Sequence, residues 1–249
     1  MRLSLLVVLA LALVAVAEKP SQIHLALTKN ANEMQVTWVT LDLDTVDGQR
    51  VEYRKSATTR VTYIDAVTTT FAQKHEIVRF IHRTTMKNLT QGEDYVYQVG
   101  SATKLSKEFT FKQPSAQPPY RICVFGDLGV KNGLSIPQLL KEAEKRSFDL
   151  VIHVGDIAYD LFKDKGVVGD EYMNTMQPLL ATVPYMVIPG NHEEETNNFT
   201  TYKNYFTMPD YEFGENHFYS FNLGPVHFVG LSSEYAAYNL LYGTGTVKR

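Results

Sequence analysis

A single cysteine, Cys123, stands among the 249 residues, so no disulfide can form within the chain and its stability must come from packing. Cys123 sits inside an apolar run and reads as a small buried hydrophobe rather than a reactive thiol. Charge of either sign is scarce: 24 Lys and Arg against 27 Asp and Glu give a formal charge of −3. The basic residues are scattered singly, which leaves no patch for nucleic acid. Beyond the first twenty residues no apolar run approaches the length of a membrane span, so no membrane partner is expected.

The start is different. "MRLSLLVVLALALVAVAEKP" carries one positive charge, an apolar core too short to span a bilayer, and the small-residue site Ala15-Val16-Ala17. It predicts a signal peptide over residues 1–17 and a secreted, extracellular or lysosomal destination for a soluble chain from about Glu18. An exported chain meets the glycosylation machinery, and the sequons "NLT" at Asn88 and "NFT" at Asn198 are candidate glycan sites.

With 44% hydrophobic residues the chain can bury ordinary cores. The pattern changes at the Pro-rich "KQPSAQPPY", where residues 114–119 read as a linker between a domain at 18–113 and one at 120–249. In the first, short runs such as "QIHLAL", "MQVTWVT", "RVEYRK", "EIVRFI" and "YVYQVG" alternate with polar turns, which predicts an all-β, immunoglobulin or fibronectin III-like sandwich. Trp38 is its candidate core anchor, and Leu89, Gly92 and Tyr95 in "NLTQGEDYVYQVG" are similar to a tyrosine corner. His24, His75 and His82 fall here and receive no catalytic role.

After the linker three stretches share one plan: "ICVFGDLG", "LVIHVGDIAYD" and "VIPGNHEEE" each run from apolar residues through a glycine to an oxygen-bearing side chain. The runs are short and too continuous for half-exposed strands, so each is expected to be buried on both faces of a parallel sheet. "SIPQLLKEAEKR", with Ser135 and Gln138 at capping-box spacing, and "DEYMNTMQPLLATV" supply crossover helices. The reading is β-α-β-α-β. Gly126, Gly155 and Gly190 allow sharp turns, and Asp127, Asp156, Asn191 and His192 should gather beyond the strand ends, with Tyr159 three residues after Asp156.

Any one Gly-Asp pair could simply cap a helix. A series of three is better explained by a metal ion, because clustered carboxylates repel unless a cation lies between them. Hard oxygen donors and a phenol suit a hard cation. His153 reads as a hydrogen-bonded core residue, and the run Glu193 to Glu195 as solvent-facing, with Glu193 alone placed to orient His192.

The segments Asp127–Gly129, Gly155–Tyr159 and Gly190–Glu193 resemble the first three of five motifs of the purple acid phosphatases, a branch of the binuclear metallophosphoesterases. "VPYMVIPGNHE", "TTYKNYFTMP" and "FYSFNLGPVHFVGLSSE" are similar as well, so the resemblance covers most of the chain. Its discriminating feature is Gly129 where the wider group has a histidine, together with Tyr159. The resemblance implies a fibronectin III-like domain ahead of a calcineurin-like catalytic domain. It implies that Asp127 and Tyr159 bind Fe(III), that Asp156 bridges to a divalent metal (Fe, Zn or Mn) held also by Asn191, and that His192 faces a small-molecule phosphate monoester. The implied activity is that of an acid phosphatase. A metallo-phosphodiesterase or nucleotide pyrophosphatase on the same scaffold, and a secreted glycoprotein without catalysis, are the alternatives; Tyr159 with Gly129 favours the first.

The family's later V-x-x-H and G-H-x-H motifs have no counterpart before Arg249. The expectation is therefore an incomplete second domain, nearly inactive by itself, with one sheet face uncovered. His217 and His227 are read as packing residues. Tyr205 and Ser233 replace the Arg and Thr common in the family.

Overall fold

The computed structural model describes residues 19–41, 48–72, 77–196 and 198–242; the signal read over 1–17 and His75 lie outside them. Among the described residues nine strands build the first domain: β1 Ser21–Leu27, β2 Met34–Thr40, β3 Arg50–Lys55, β4 Thr62–Asp65, β5 Val67–Ala72, β6 Val78–Met86, β7 Asp94–Ser101, β8 Lys104–Leu105 and β9 Phe109–Lys112. One sheet has the order β1-β2-β6-β5; the other runs β4-β3-β7-β8, with β9 also paired to β7. Between them Trp38 is fully buried, its indole N–H donating to Gln49 Oε1 at 2.8 Å. The Tyr95 hydroxyl accepts the Thr90 amide at 2.8 Å, five residues upstream, which is a tyrosine corner. Strands β4 and β5 escape periodicity because "TYID" and "VTTTFA" are mostly exposed and polar.

The second domain follows the order β10 Ile122–Phe125, α1 Ile136–Glu144, β11 Leu150–Val154, α2 Val167–Leu180, β12 Tyr185–Ile188. The three strands are parallel, in the order β10-β11-β12. Then come α3 Thr200–Tyr205, α4 Tyr211–Gly214, the antiparallel pair β13 Phe218–Leu223 and β14 Val226–Leu231, and α5 Ser233–Tyr242.

Three local expectations fail. β12 is buried at Tyr185, Met186 and Val187, but β10 and β11 are not buried on both faces: Val151 and His153 are covered, whereas Val124 and Val154 are 60% and 52% exposed. Ser135 precedes α1 without a side-chain cap; its own backbone is already helical, and Pro137 opens the first turn instead. His227 is exposed and bonded to Asn222 Oδ1 at 2.6 Å, whereas His217 is fully buried against Phe199, Tyr202 and Tyr235.

The domains share a polar and apolar seam, with β1 lying on α2 and against β12. The Tyr97 hydroxyl donates to Ala181 O at 2.7 Å, the Ile23 amide to Gln177 Oε1 at 2.9 Å, and Arg83 bonds Thr207 Oγ1 at 2.9 Å and Asn204 O. Asp170, in the first turn of α2, takes Arg79 on both oxygens at 2.8 and 2.6 Å. Tyr205 fits here: its hydroxyl donates to Asp170 Oδ1 at 2.6 Å.

Candidate metal centre

Three loops leave the carboxyl ends of β10, β11 and β12, where an open parallel sheet collects its reactive groups. They are stitched by backbone bonds: the Asp127 amide donates to Gly155 O at 3.1 Å and the Gly129 amide to Ile157 O at 3.0 Å. The sharp turns fall on the acids themselves. Asp127, Asp156 and Tyr159 have φ of 55°, 50° and 54°, a left-handed backbone that costs an L-residue about 1–2 kcal/mol. Two of the three glycines serve close approach rather than turning: the Gly190 backbone is extended, and a Cβ there would fall on Asp156 Oδ1.

Tyr159 donates its hydroxyl to Asp127 Oδ1 at 3.2 Å. A Cβ on Gly129 would meet the Tyr159 ring at 2.9 Å, so the phenol occupies the space that a side chain at 129 would take. Asp156 Oδ1 accepts the His192 amide at 3.1 Å. The His192 ring packs on Tyr159 with centroids 4.8 Å apart, and its Nδ1 meets Asp160 Oδ1 at 2.8 Å. Asn191 stands on the exposed side of the turn that carries His192. Asp127, Asp156, Tyr159 and His192 are thus brought together. Asn88 and Asn198 lie exposed elsewhere.

Two contributors were not legible beforehand. Asp160 orients His192; its only signal was its place directly after Tyr159. Glu193 does not orient His192 but clamps two loops, accepting the amides of Asp156, Ile157 and Gly190, each at 2.8 Å. The acidic run is consequently not solvent-facing: Glu193 and Glu195 are buried, Glu195 accepting the Thr201 amide at 3.0 Å and its hydroxyl at 2.6 Å, because carboxylates satisfy buried donors well.

The electrostatics suit a cation. The Tyr159 phenol is pushed up by desolvation and then by the carboxylates of Asp127, Asp156 and Glu193. Burial moves Glu193 up to about 7 against the three amides that pull it down. The bond to Asp160 raises the His192 imidazole. A metal ion inverts such repulsion. Among the described residues no three His, Cys, Asp or Glu side chains form a metal cluster; the donors here are two carboxylates, a phenol and a carboxamide. That set fits a hard ion.

Residues 20–113 match the family described as "Purple acid Phosphatase, N-terminal domain", and residues 120–244 match "Calcineurin-like phosphoesterase". Human "Acid phosphatase type 7" is 36% identical over 237 residues, covering 92% of this chain and 52% of that protein. "Purple acid phosphatase 21" of Arabidopsis thaliana is 31% identical over 223 residues, covering 86% and 48%. The chain spans about half the length of the curated relatives it matches. Among solved structures, purple acid phosphatase PPD1 from yellow lupin (Lupinus luteus) seeds shares the fold, with a TM-score of 0.71 and 22% identity over 85% of this chain and 44% of that one. Sheet order, loop chemistry and these likenesses agree: the chain belongs to the purple acid phosphatases, a branch of the calcineurin-like phosphoesterases.

Proposed function

We propose that the chain carries residues of an acid phosphatase site acting on phosphate monoesters. The observation that carries this is the Tyr159 phenol seated on the Asp127 carboxylate in the space left by Gly129. In this reading Asp127 and Tyr159 would hold Fe(III), and Asp156 and Asn191 would hold a divalent Fe, Zn or Mn, with Asp156 shared between the two. Metals held there would supply charge withdrawal from the phosphoryl oxygens and activation of water. The protein's own part is positional. Glu193 locks the loops of Asp156 and Asn191 together, and Asp160 fixes the His192 ring through Nδ1, leaving Nε2 for the phosphate or the departing alkoxide.

The test is spectroscopic. Iron-loaded protein should absorb visible light through phenolate-to-iron charge transfer, and Tyr159→Phe should abolish the band without loss of fold by circular dichroism. A band that survives Tyr159→Phe overturns the assignment.

We propose also that the chain is exported, with residues 1–17 removed. Exposed Asn88 and Asn198 support this, since an oligosaccharide can be attached to either. Intact-mass analysis of secreted protein should show the cleavage and at least one glycan; an unprocessed, unmodified cytosolic product would exclude it.

A further inference from the structure

Between β11 and α2 the chain forms the loop that presents Asp156, Tyr159 and Asp160. Five of its non-glycine residues, Asp156, Tyr159, Asp160, Asp164 and Lys165, have φ between 50° and 74°. L-residues disfavour this backbone, so the loop keeps its shape only where other groups fix it. At its near end Glu193 holds the amides of Asp156 and Ile157.

At its far end the fixing group comes from the other domain. Arg79 of β6 is fully buried; its Nη2 donates to Lys165 O at 3.0 Å and to Asp170 Oδ2 at 2.6 Å, and its Nε to Asp170 Oδ1 at 2.8 Å. Asp170 is itself held by Tyr205 at 2.6 Å and Gln22 Nε2 at 2.8 Å. Gly166 gives the guanidinium room: its φ is +83°, and a Cβ there would lie 2.8 Å from Nη2. A buried cation is costly and is retained where a planar fork satisfies several acceptors at once, in a geometry an ammonium cannot reproduce. The ion pair with Asp170 alone would join the two domains. A guanidinium aimed at a carbonyl in the left-handed stretch does more.

We infer that Arg79 is a positioning residue for the metal loop: through this guanidinium the sandwich domain fixes the far end of the segment that presents Tyr159 and Asp160. The role in metal binding rests on the function proposed above, whereas the ordering of the loop can be read without metal.

The experiment is amide hydrogen exchange on the full metal-free chain, read at Lys163, Gly166 and Gly169, whose amides bond Asp160 O, Phe162 O and Leu161 O at 2.9, 3.0 and 3.2 Å. Arg79→Lys and Arg79→Leu should exchange there about tenfold faster or more, with β2 and β13 unchanged. Tyr97→Phe, which cuts a bond of the same domain seam at Ala181, should leave these amides as they are. Ferric affinity, measured by competition with a chelator, should fall about tenfold in Arg79→Lys and not in Tyr97→Phe. Should Arg79→Leu fail to fold, Arg79→Lys, which keeps the charge and loses the fork, carries the test. Unchanged exchange in folded Arg79→Lys, or equal acceleration in Tyr97→Phe, would overturn the inference. Faster exchange in a protein that binds no iron would support the positioning of the loop and sink the metal reading instead.

Discussion

Glu193 shows how one side chain can set the geometry of several others. Its carboxylate is the common acceptor of three amides from two loops, and it is 1% exposed. Glu193→Ala removes the acceptor of all three amides and leaves the donors buried, so it should lower unfolding free energy by about 3 kcal/mol in urea titration. Metal affinity should fall with it, because the Asp156 backbone loses its clamp. A loss below about 1 kcal/mol would mean that water replaces the carboxylate. Asp160 works on His192 in a narrower way, through a single partly exposed contact, so Asp160→Asn should leave stability within about 0.5 kcal/mol while moving the alkaline limb of any pH–rate profile to lower pH, because the carboxylate that raises the imidazole is gone.

Strands β1 and β6 each carry a histidine that is buried and uncharged. Desolvation, with a contribution from Arg83, lowers His24 and His82 to about 4; the Thr40 and Thr68 hydroxyls hold the His82 ring at 2.9 and 2.8 Å. In the unfolded chain these rings titrate near 6.5. Between pH 6.5 and 4 the unfolded state therefore binds more protons than the folded one, so stability is full above pH 6.5 and drains as pH falls toward 4. Each ring should contribute about 2–3 kcal/mol to that loss. Melting temperature followed from pH 7.5 to 4 should decline across this window, and His82→Gln should flatten the decline. A melting temperature constant over the window would show that both rings titrate normally.

The two domains are joined by buried polar contacts, of which Arg79 with Asp170 is the most demanding. Asp170→Ala strands the guanidinium and should cost about 3–5 kcal/mol, splitting one calorimetric transition into two as the domains uncouple. Tyr97→Phe removes one hydrogen bond and should cost about 1 kcal/mol with the single transition intact. The same molecule shows apolar surface on its parallel sheet, where Val124 and Val154 are exposed. Val124→Thr with Val154→Thr should reduce self-association in sedimentation velocity without lowering the melting temperature. Unchanged association would place the sticky surface elsewhere.

Period and punctuation along the chain already contained the sandwich, the tyrosine corner at Tyr95, the parallel β-α-β-α-β order and the four groups Asp127, Asp156, Tyr159 and His192 at the strand ends. These follow from local rules: strand periodicity, glycine before an acid, and the need of a parallel crossover for a helix. Long-range contacts decided the rest. Whether β10 and β11 are covered depends on what packs over them, so continuous apolar runs could not reveal that Val124 and Val154 are exposed. Glu193 and Glu195 looked like surface acids because only folding brings amides from elsewhere to their carboxylates. Arg79 lies 91 residues from Asp170, a separation over which no pattern operates, and only the docking of the sandwich on α2 makes the two a pair.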